Sequence, residues 1–328
     1  MKKLLFIGHS YHQKTKSADF LLDLLQTKYA ITKCYVDPYA DENNNFTDVS
    51  GNKYDYVVCW QIMYPLNKLQ QIISYEKCVF FPMFDGVCPL DNIKWGEYAK
   101  AKIICFCKHL YEDLRKRGFD CEYIQYFPNV QKTEISGDTT SLFFWQRREE
   151  INLQVIDNLF SPQEVTHIHL HKALDPQQKF IDYPLKQHRT VSTWFDKRDD
   201  LYKTMLKSAL YMAPRLEEGI GMSFLEAMAM GRCVIAPDNP TMNEYIKHGK
   251  TGYLYNLQNI KMISMENIRQ IQKNSIDYMK AGRNQWNKQK YKIFDWIEEP
   301  VKSGRLNMRL VRHYKLFGLF TFLRVEEN

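Results

Sequence analysis

Two carboxylates bracket a glycine turn in the segment EEGIGMSFLEAMAMG, residues 217–231. Glu218 lies in the turn, Glu226 about one helical turn into the apolar run that follows, and Gly219 and Gly221 stand between them. A glycine turn that opens a helix presents unpaired N–H groups and the positive end of the helix dipole, which suits a phosphate or pyrophosphate. Glycine also lets the backbone approach a ligand closely. A carboxylate one turn further on accepts hydrogen bonds from two adjacent hydroxyls. The chemistry expected is an anion cradle over Gly219, Ile220, Gly221, Met222 and Ser223, flanked by two diol acceptors.

Such a cradle needs a strand before it and a strand behind it. ALYMAP (209–214) reads as the first, stopped by Pro214, and CVIAP (233–237) as the second. A helix is predicted from about Met222 to Met230, with Gly231 at the position after its end. Ligands of open parallel sheets bind at the carboxyl ends of the strands. A ribose diol, a diphosphate and sugar hydroxyls in sequence match this layout, so a nucleotide sugar is the ligand it implies.

The remaining chain alternates in the same way. KLLFIG (3–8), YDYVVCW (54–60), KCVFFPMF (77–84) and AKIICFC (101–107) read as strands, with helical periodicity between them. After EYIQYFPN the texture becomes polar, and VQKTEISGDTT (130–140) is the expected boundary. A second series follows: SLFFW (141–145), VTHIHLH (165–171), RTVSTWF (189–195) and GYLY (252–255), with helices over 149–160 and 199–208. Strands alternating with helices imply parallel sheets. The organisation expected is an N-terminal Rossmann-like domain (1–130), a linker (131–140), a second Rossmann-like domain (141–300) and a basic tail (301–328). No repeat of fixed period is visible.

The 328 residues suffice for two domains. The net charge of +7 favours phosphorylated ligands or an anionic surface and is too weak to argue for nucleic acid. The eight cysteines have no C-x-x-C spacing and lie mostly in apolar runs, which fits buried free thiols in a reducing compartment better than disulfides or zinc. The apolar start, Leu4 to Ile7, is short for a signal peptide. No run reaches the roughly 18 apolar residues of a membrane span. The expected location is the cytoplasm, peripheral to the inner face of a membrane at most. From Lys302 onward six Lys/Arg face two Glu. A helix there would set Arg305, Arg309, Arg312 and Lys315 opposite Leu306, Leu310, Tyr314 and Phe317, so 305–323 is expected to meet an anionic membrane surface or to pack back on the first domain.

The spacing of Glu218 and Glu226 is E-x7-E, and the run from Pro214 to Leu254 resembles retaining GT-B glycosyltransferases of the GT4-like family, glycosyl transferases group 1. The match covers Pro214, Glu218, Gly219, Gly221, Leu225 to Ala229, Gly231, Val234 to Ala236, Glu244, Gly249, Gly252 and Leu254. The resemblance implies an α/β GT-B fold, two Rossmann-like domains facing a central cleft. It implies transfer of a sugar from a nucleotide diphosphate sugar to a glycan or lipid-linked acceptor with retention, in bacterial surface polysaccharide or lipopolysaccharide synthesis, and without a metal or other cofactor.

Carried over by position, Glu226 would bind the ribose hydroxyls and Glu218 the transferred sugar, while residues 219–223 would hold the diphosphate. Arg147 and Arg148 stand near the family's diphosphate-binding Arg. Its Lys is missing, with Asn152 or Leu153 in its place, and Arg215, where the family has Ser, is a substitute cation. Glu244 matches the family's later Glu, and Trp194 falls near the base-binding loop, with a core tryptophan as the alternative. In the acceptor domain FFPMFDG carries Phe84 and Asp85 where the family often has His. Asp85 and His9, in the loop after the first strand, are the catalytic candidates there, beside His12. His167, His169 and His171 share one strand face, either beside the nucleotide or as a metal site. The alternatives left open are an epimerase or phosphorylase on the same fold and a non-catalytic nucleotide-binding protein.

Overall fold

The computed structural model describes residues 1–37, 46–90, 92–130, 135–302, 310–316 and 320–326. The chain divides into two compact units, Met1–Gln125 with Gln289–Asn328, and Tyr126–Lys288.

The first unit is built on β1 (Lys3–His9), β2 (Ala30–Val36), β3 (Lys53–Trp60), β4 (Ser74–Phe81), β5 (Lys102–Cys105) and β6 (Asp120–Tyr123). They form one sheet in the order β2-β1-β3-β4-β5-β6, every pairing parallel. Leu4 to Ile7, Val57 to Trp60 and Val79 to Phe81 are buried along consecutive positions. Strands covered on both faces by helices read as continuous apolar runs, which is why they were legible. β2 and β6 carry more exposed, polar residues and had no such signature.

The second unit contains β7 (Asp138–Gln146), β8 (His167–Lys172), β9 (His188–Ser192), β10 (Ser208–Met212), β11 (Cys233–Pro237) and β12 (Gly252–Tyr255). Their order is β12-β11-β10-β7-β8-β9, again parallel throughout. The chain moves outward from β7 through β8 and β9, then crosses back to β10 and proceeds the other way. The carboxyl ends of β7 and β10 flank this reversal, where open α/β sheets bind ligands. The helix Ile268–Gln289 covers the sheet with Ile268, Ile271, Ile276 and Met279 buried.

Three expectations are corrected. β7 starts at Asp138, inside the segment read as a linker, of which 131–134 lie outside the described residues. The helix Lys292–Glu298, read as the end of the second domain, groups with the first unit. Tyr29 Oη donates to Glu298 (3.0 Å), Lys28 pairs with it (2.9 Å), and the buried Lys102 ammonium donates to the Pro300 carbonyl (3.3 Å). The tail is a β-hairpin, not an amphipathic helix: β13 (Leu310–Leu316) pairs antiparallel with β14 (Phe320–Glu326), Arg312 opposite Arg324. Val311, Tyr314, Phe320, Thr321, Phe322 and Val325 are strand formers, and each strand's partner supplies the hydrogen bonds that a helix would make locally. Arg305, Leu306, Arg309 and Phe317 lie outside the described residues.

All eight cysteines are free, and Cys34, Cys59, Cys78, Cys105, Cys107 and Cys233 are buried. Among the described residues no helix is long and apolar enough to cross a membrane.

Candidate functional site

The glycine turn lies at the carboxyl end of β10. Gly221 is the N-cap of the helix Met222–Ala229, with φ 77°. A Cβ there would lie 1.9 Å from Cε1 of the buried Phe224 ring, so both the backbone and the packing require glycine. Leu225, Ala227 and Met228 bury the helix against β10 and β11 and fix its N-terminus at the strand ends. Thr241, fully buried, donates through Oγ1 to the carbonyls of Glu218 (2.6 Å) and Gly219 (3.1 Å). The turn is thus held from behind by the loop after β11. That loop also carries Glu244, half-buried in the helix Met242–Tyr245.

Cations collect beside the turn. Arg147 and Arg148 follow β7, and Arg215 follows β10. All three converge on Asp175, in the loop after β8. Arg147 donates to it from Nε (2.8 Å) with Nη2 in ion-pair contact (2.7 Å), Arg148 donates from Nε (2.9 Å) and Arg215 from Nη2 (2.6 Å). Burial pushes the Asp175 carboxyl up, but Arg147 and Arg215 together outweigh it and hold the group below the usual carboxylate range. Arg215 Nη1 is also 4.0 Å from the carboxylate of Glu218, which is only 6% exposed. Asn152 and Leu153 contribute no charge. Asn152 caps the helix Leu153–Leu159, its side chain accepting from Gln154 N and Val155 N, and Leu153 is buried. Arg215 brings a third guanidinium to Asp175.

Glu226 meets Arg198 in an ion pair and bonds to Tyr202, both from the helix Arg198–Met205. Burial raises its carboxyl above the ordinary range, with Arg198 pulling the other way. Ser223 lies in the first turn of the glycine-capped helix, and the buried Tyr211 of β10 stacks its ring on Phe143.

The histidines of β8 do share a face, and hydroxyls join them. Ser208, Ser141, His167, Thr190, His169, Ser192 and His171 form a chain of hydrogen bonds of 2.8 to 3.0 Å. Burial, with a neighbouring imidazole second, pushes His169 and His171 down to about 4. Among the described residues no group of three His, Cys, Asp or Glu is placed to hold a metal ion. Trp194, in the loop after β9, is 44% exposed, which removes the core-tryptophan alternative, and its neighbour Phe195 stacks on His171 at 5.1 Å.

His9 and Asp85 belong to the first unit. His9 ends β1, where its Nδ1 accepts from Tyr11 N (3.0 Å), and Asp85 lies in the first turn after β4, so both occupy that sheet's carboxyl edge. His12 is buried, bonded to Ser17 Oγ (2.7 Å) and pushed down to about 4 by burial and by His9. Sequence reasoning missed Asp175, Arg198, Tyr202 and Thr241. Their roles depend on contacts between loops distant in sequence, and no local spacing marks them.

Residues 172–292 match the family model described as glycosyl transferases group 1. Over 192 residues the chain is 27% identical to "uncharacterized glycosyltransferase 335" of Sulfolobus islandicus rod-shaped virus 1, covering 58% of this chain. The chain spans about half (52%) of the length of that curated relative. Among solved structures, sucrose-phosphate synthase from Thermosynechococcus elongatus aligns with TM-score 0.62 at 13% identity, covering 90% of this chain and all of its own. Anabaena HepE in complex with UDP and glucose aligns with TM-score 0.57 at 12% identity, covering 90% and 100%. The lipopolysaccharide outer core galactosyltransferase WaaB aligns with TM-score 0.56 at 12% identity, covering 89% and 99%. These likenesses show that the fold is GT-B.

Proposed function

We propose that this chain, whose residues 172–292 match the family model of glycosyl transferases group 1, transfers a sugar from a nucleotide diphosphate sugar to a glycan or lipid-linked acceptor. The observation that carries the reading is the arrangement at the β7–β10 reversal. There, a glycine-capped helix N-terminus lies between Glu218 and Glu226, and three arginines gather at the neighbouring strand ends.

In this reading Glu226 accepts the ribose hydroxyls, sharing its carboxylate with Arg198, and exposed Trp194 stacks on the base. Residues 219–223 and the arginines hold the diphosphate. As the glycosidic bond breaks, negative charge grows on the departing phosphate, and fixed N–H donors and guanidiniums are already aimed where it develops. Glu218 orients the transferred sugar. Asp85 and His9 serve the acceptor, transfer proceeds with retention, and Glu244 supports the donor site. The setting, surface polysaccharide assembly at a membrane face, rests on the family resemblance and the cationic tail. Deleting 304–328 should release the protein from anionic liposomes, and unchanged partitioning would count against membrane contact.

A thermal-shift panel of UDP, GDP, ADP, CMP and their sugar conjugates on wild type and Glu226→Ala tests the donor reading. UDP comes first because the HepE structure contains it. A ligand at a hundred times its dissociation constant stabilises a fold by about 2.7 kcal/mol. A shift with one nucleoside diphosphate, lost in Glu226→Ala, is the expected result. No shift with any would refute the reading.

A further inference from the structure

One carboxylate organises the cations of the second unit. Asp175 is 9% exposed, and its loop is tied to the end of β7 by its own N–H, which donates to the Arg147 carbonyl (2.9 Å). Oδ1 accepts from Arg147 Nε, with Arg147 Nη2 in ion-pair contact, while Oδ2 accepts one hydrogen bond from Arg148 and one from Arg215. A carboxylate has about four lone-pair sites, and three of them take guanidinium hydrogen bonds while a fourth guanidinium nitrogen stands in ion-pair contact. Both oxygens of Asp175 are thus engaged by guanidiniums, which suits a structural counter-ion better than a substrate-binding carboxylate. Its partners are not saturated by it, since each guanidinium has five N–H donors and gives Asp175 one or two.

Three guanidiniums on two strand-end loops repel one another, and repulsion at short range in a partly buried site is strong. The shared carboxylate reverses the sign of the nearest interaction for each arginine and leaves the cluster net positive, even with Glu218 counted. We propose that Asp175 is a positioning residue that gathers Arg147, Arg148 and Arg215 into one preformed diphosphate-binding array. The inference rests on the nucleotide-sugar reading above and specifies how its anion site is assembled. In this array Arg215, fixed by Asp175 on the β10 side, takes the place of the missing lysine.

The test titrates inorganic pyrophosphate and UDP into the full-length wild type, Asp175→Asn and Asp175→Glu by calorimetry, with thermal midpoints in parallel. Asp175→Asn makes the site more positive by one charge, so simple electrostatics predicts tighter anion binding. Positioning predicts the opposite, a loss of about tenfold or more in affinity. Unchanged or tighter binding by the Asn variant, with or without a lower midpoint, overturns the proposal and leaves only a structural role. If the Asn variant does not fold, the Glu variant decides. It keeps the charge but displaces it by one methylene, and its affinity should fall about threefold or more. Wild-type affinity in Asp175→Glu would overturn the proposal. Wild-type protein that binds neither probe overturns the donor reading as well, and so separates the two failures.

Discussion

Replacing Gly221 by alanine tests whether the glycine turn is as constrained as its geometry indicates. A non-glycine residue at φ 77° costs about 1–2 kcal/mol. The added methyl would also fall 1.9 Å from Cε1 and 2.4 Å from Cδ1 of Phe224, a fully buried ring that cannot withdraw into solvent. Overpacking of this kind costs about 1–3 kcal/mol. Gly221→Ala should therefore lose about 2–5 kcal/mol in equilibrium urea unfolding, a large share of an ordinary stability of about 5–15 kcal/mol. Phe224→Ala alone should lose about 3–5 kcal/mol. The double variant relieves the clash but not the backbone strain, so its loss should fall short of the sum by about 1–3 kcal/mol. A Gly221→Ala loss below about 0.5 kcal/mol, or strict additivity in the double variant, would refute the argument.

The other predictions use the same unit. Thr241→Val removes the hydroxyl that serves the Glu218 and Gly219 carbonyls, and should lower stability by about 1–3 kcal/mol in denaturant melts. Gln146 is fully buried at the end of β7, and neither amide atom has a hydrogen-bond partner among the described residues. Gln146→Met should therefore raise the urea midpoint by the equivalent of about 1–2 kcal/mol, and a lowered midpoint would contradict this. His169 and His171, held down to about 4, are neutral in the folded chain, whereas unfolded imidazoles protonate near 6.5. Their contribution is complete above pH 6.5 and is lost as pH falls from 6.5 toward 4, by up to about 3 kcal/mol for the buried His171 and by less for the half-buried His169, where solvent screens the charge. Unfolding free energies at pH 7, 6, 5 and 4.5 should show this slope, and His171→Gln should make it shallower.

The structure clarifies which features were readable from residue order. The strands β1, β3, β4, β10 and β11 stood out because two-sided burial demands uninterrupted apolar residues. The turn around Gly221 stood out because a positive φ leaves few alternatives to glycine. The tail was misread because the spacing of Leu306, Leu310, Tyr314 and Phe317 fits a helix, while the strand-forming composition of 310–326 fits a hairpin equally well. Sequence spacing alone does not weigh a local hydrogen-bond ladder against one supplied by a neighbouring strand.

By itself, then, the sequence determined the alternating α/β plan, the place of the glycine-capped helix and the identity of the two flanking carboxylates. These follow from short-range rules of burial, capping and backbone freedom. Only the tertiary structure decided which charges meet. Asp175 lies 28 residues from Arg147 and 40 from Arg215, and Arg198 lies 28 from Glu226. The crossover from β9 to β10 brings the ends of β7, β8 and β10 to one edge of the sheet. Chain topology, not spacing, turns scattered arginines into a single cluster around one carboxylate.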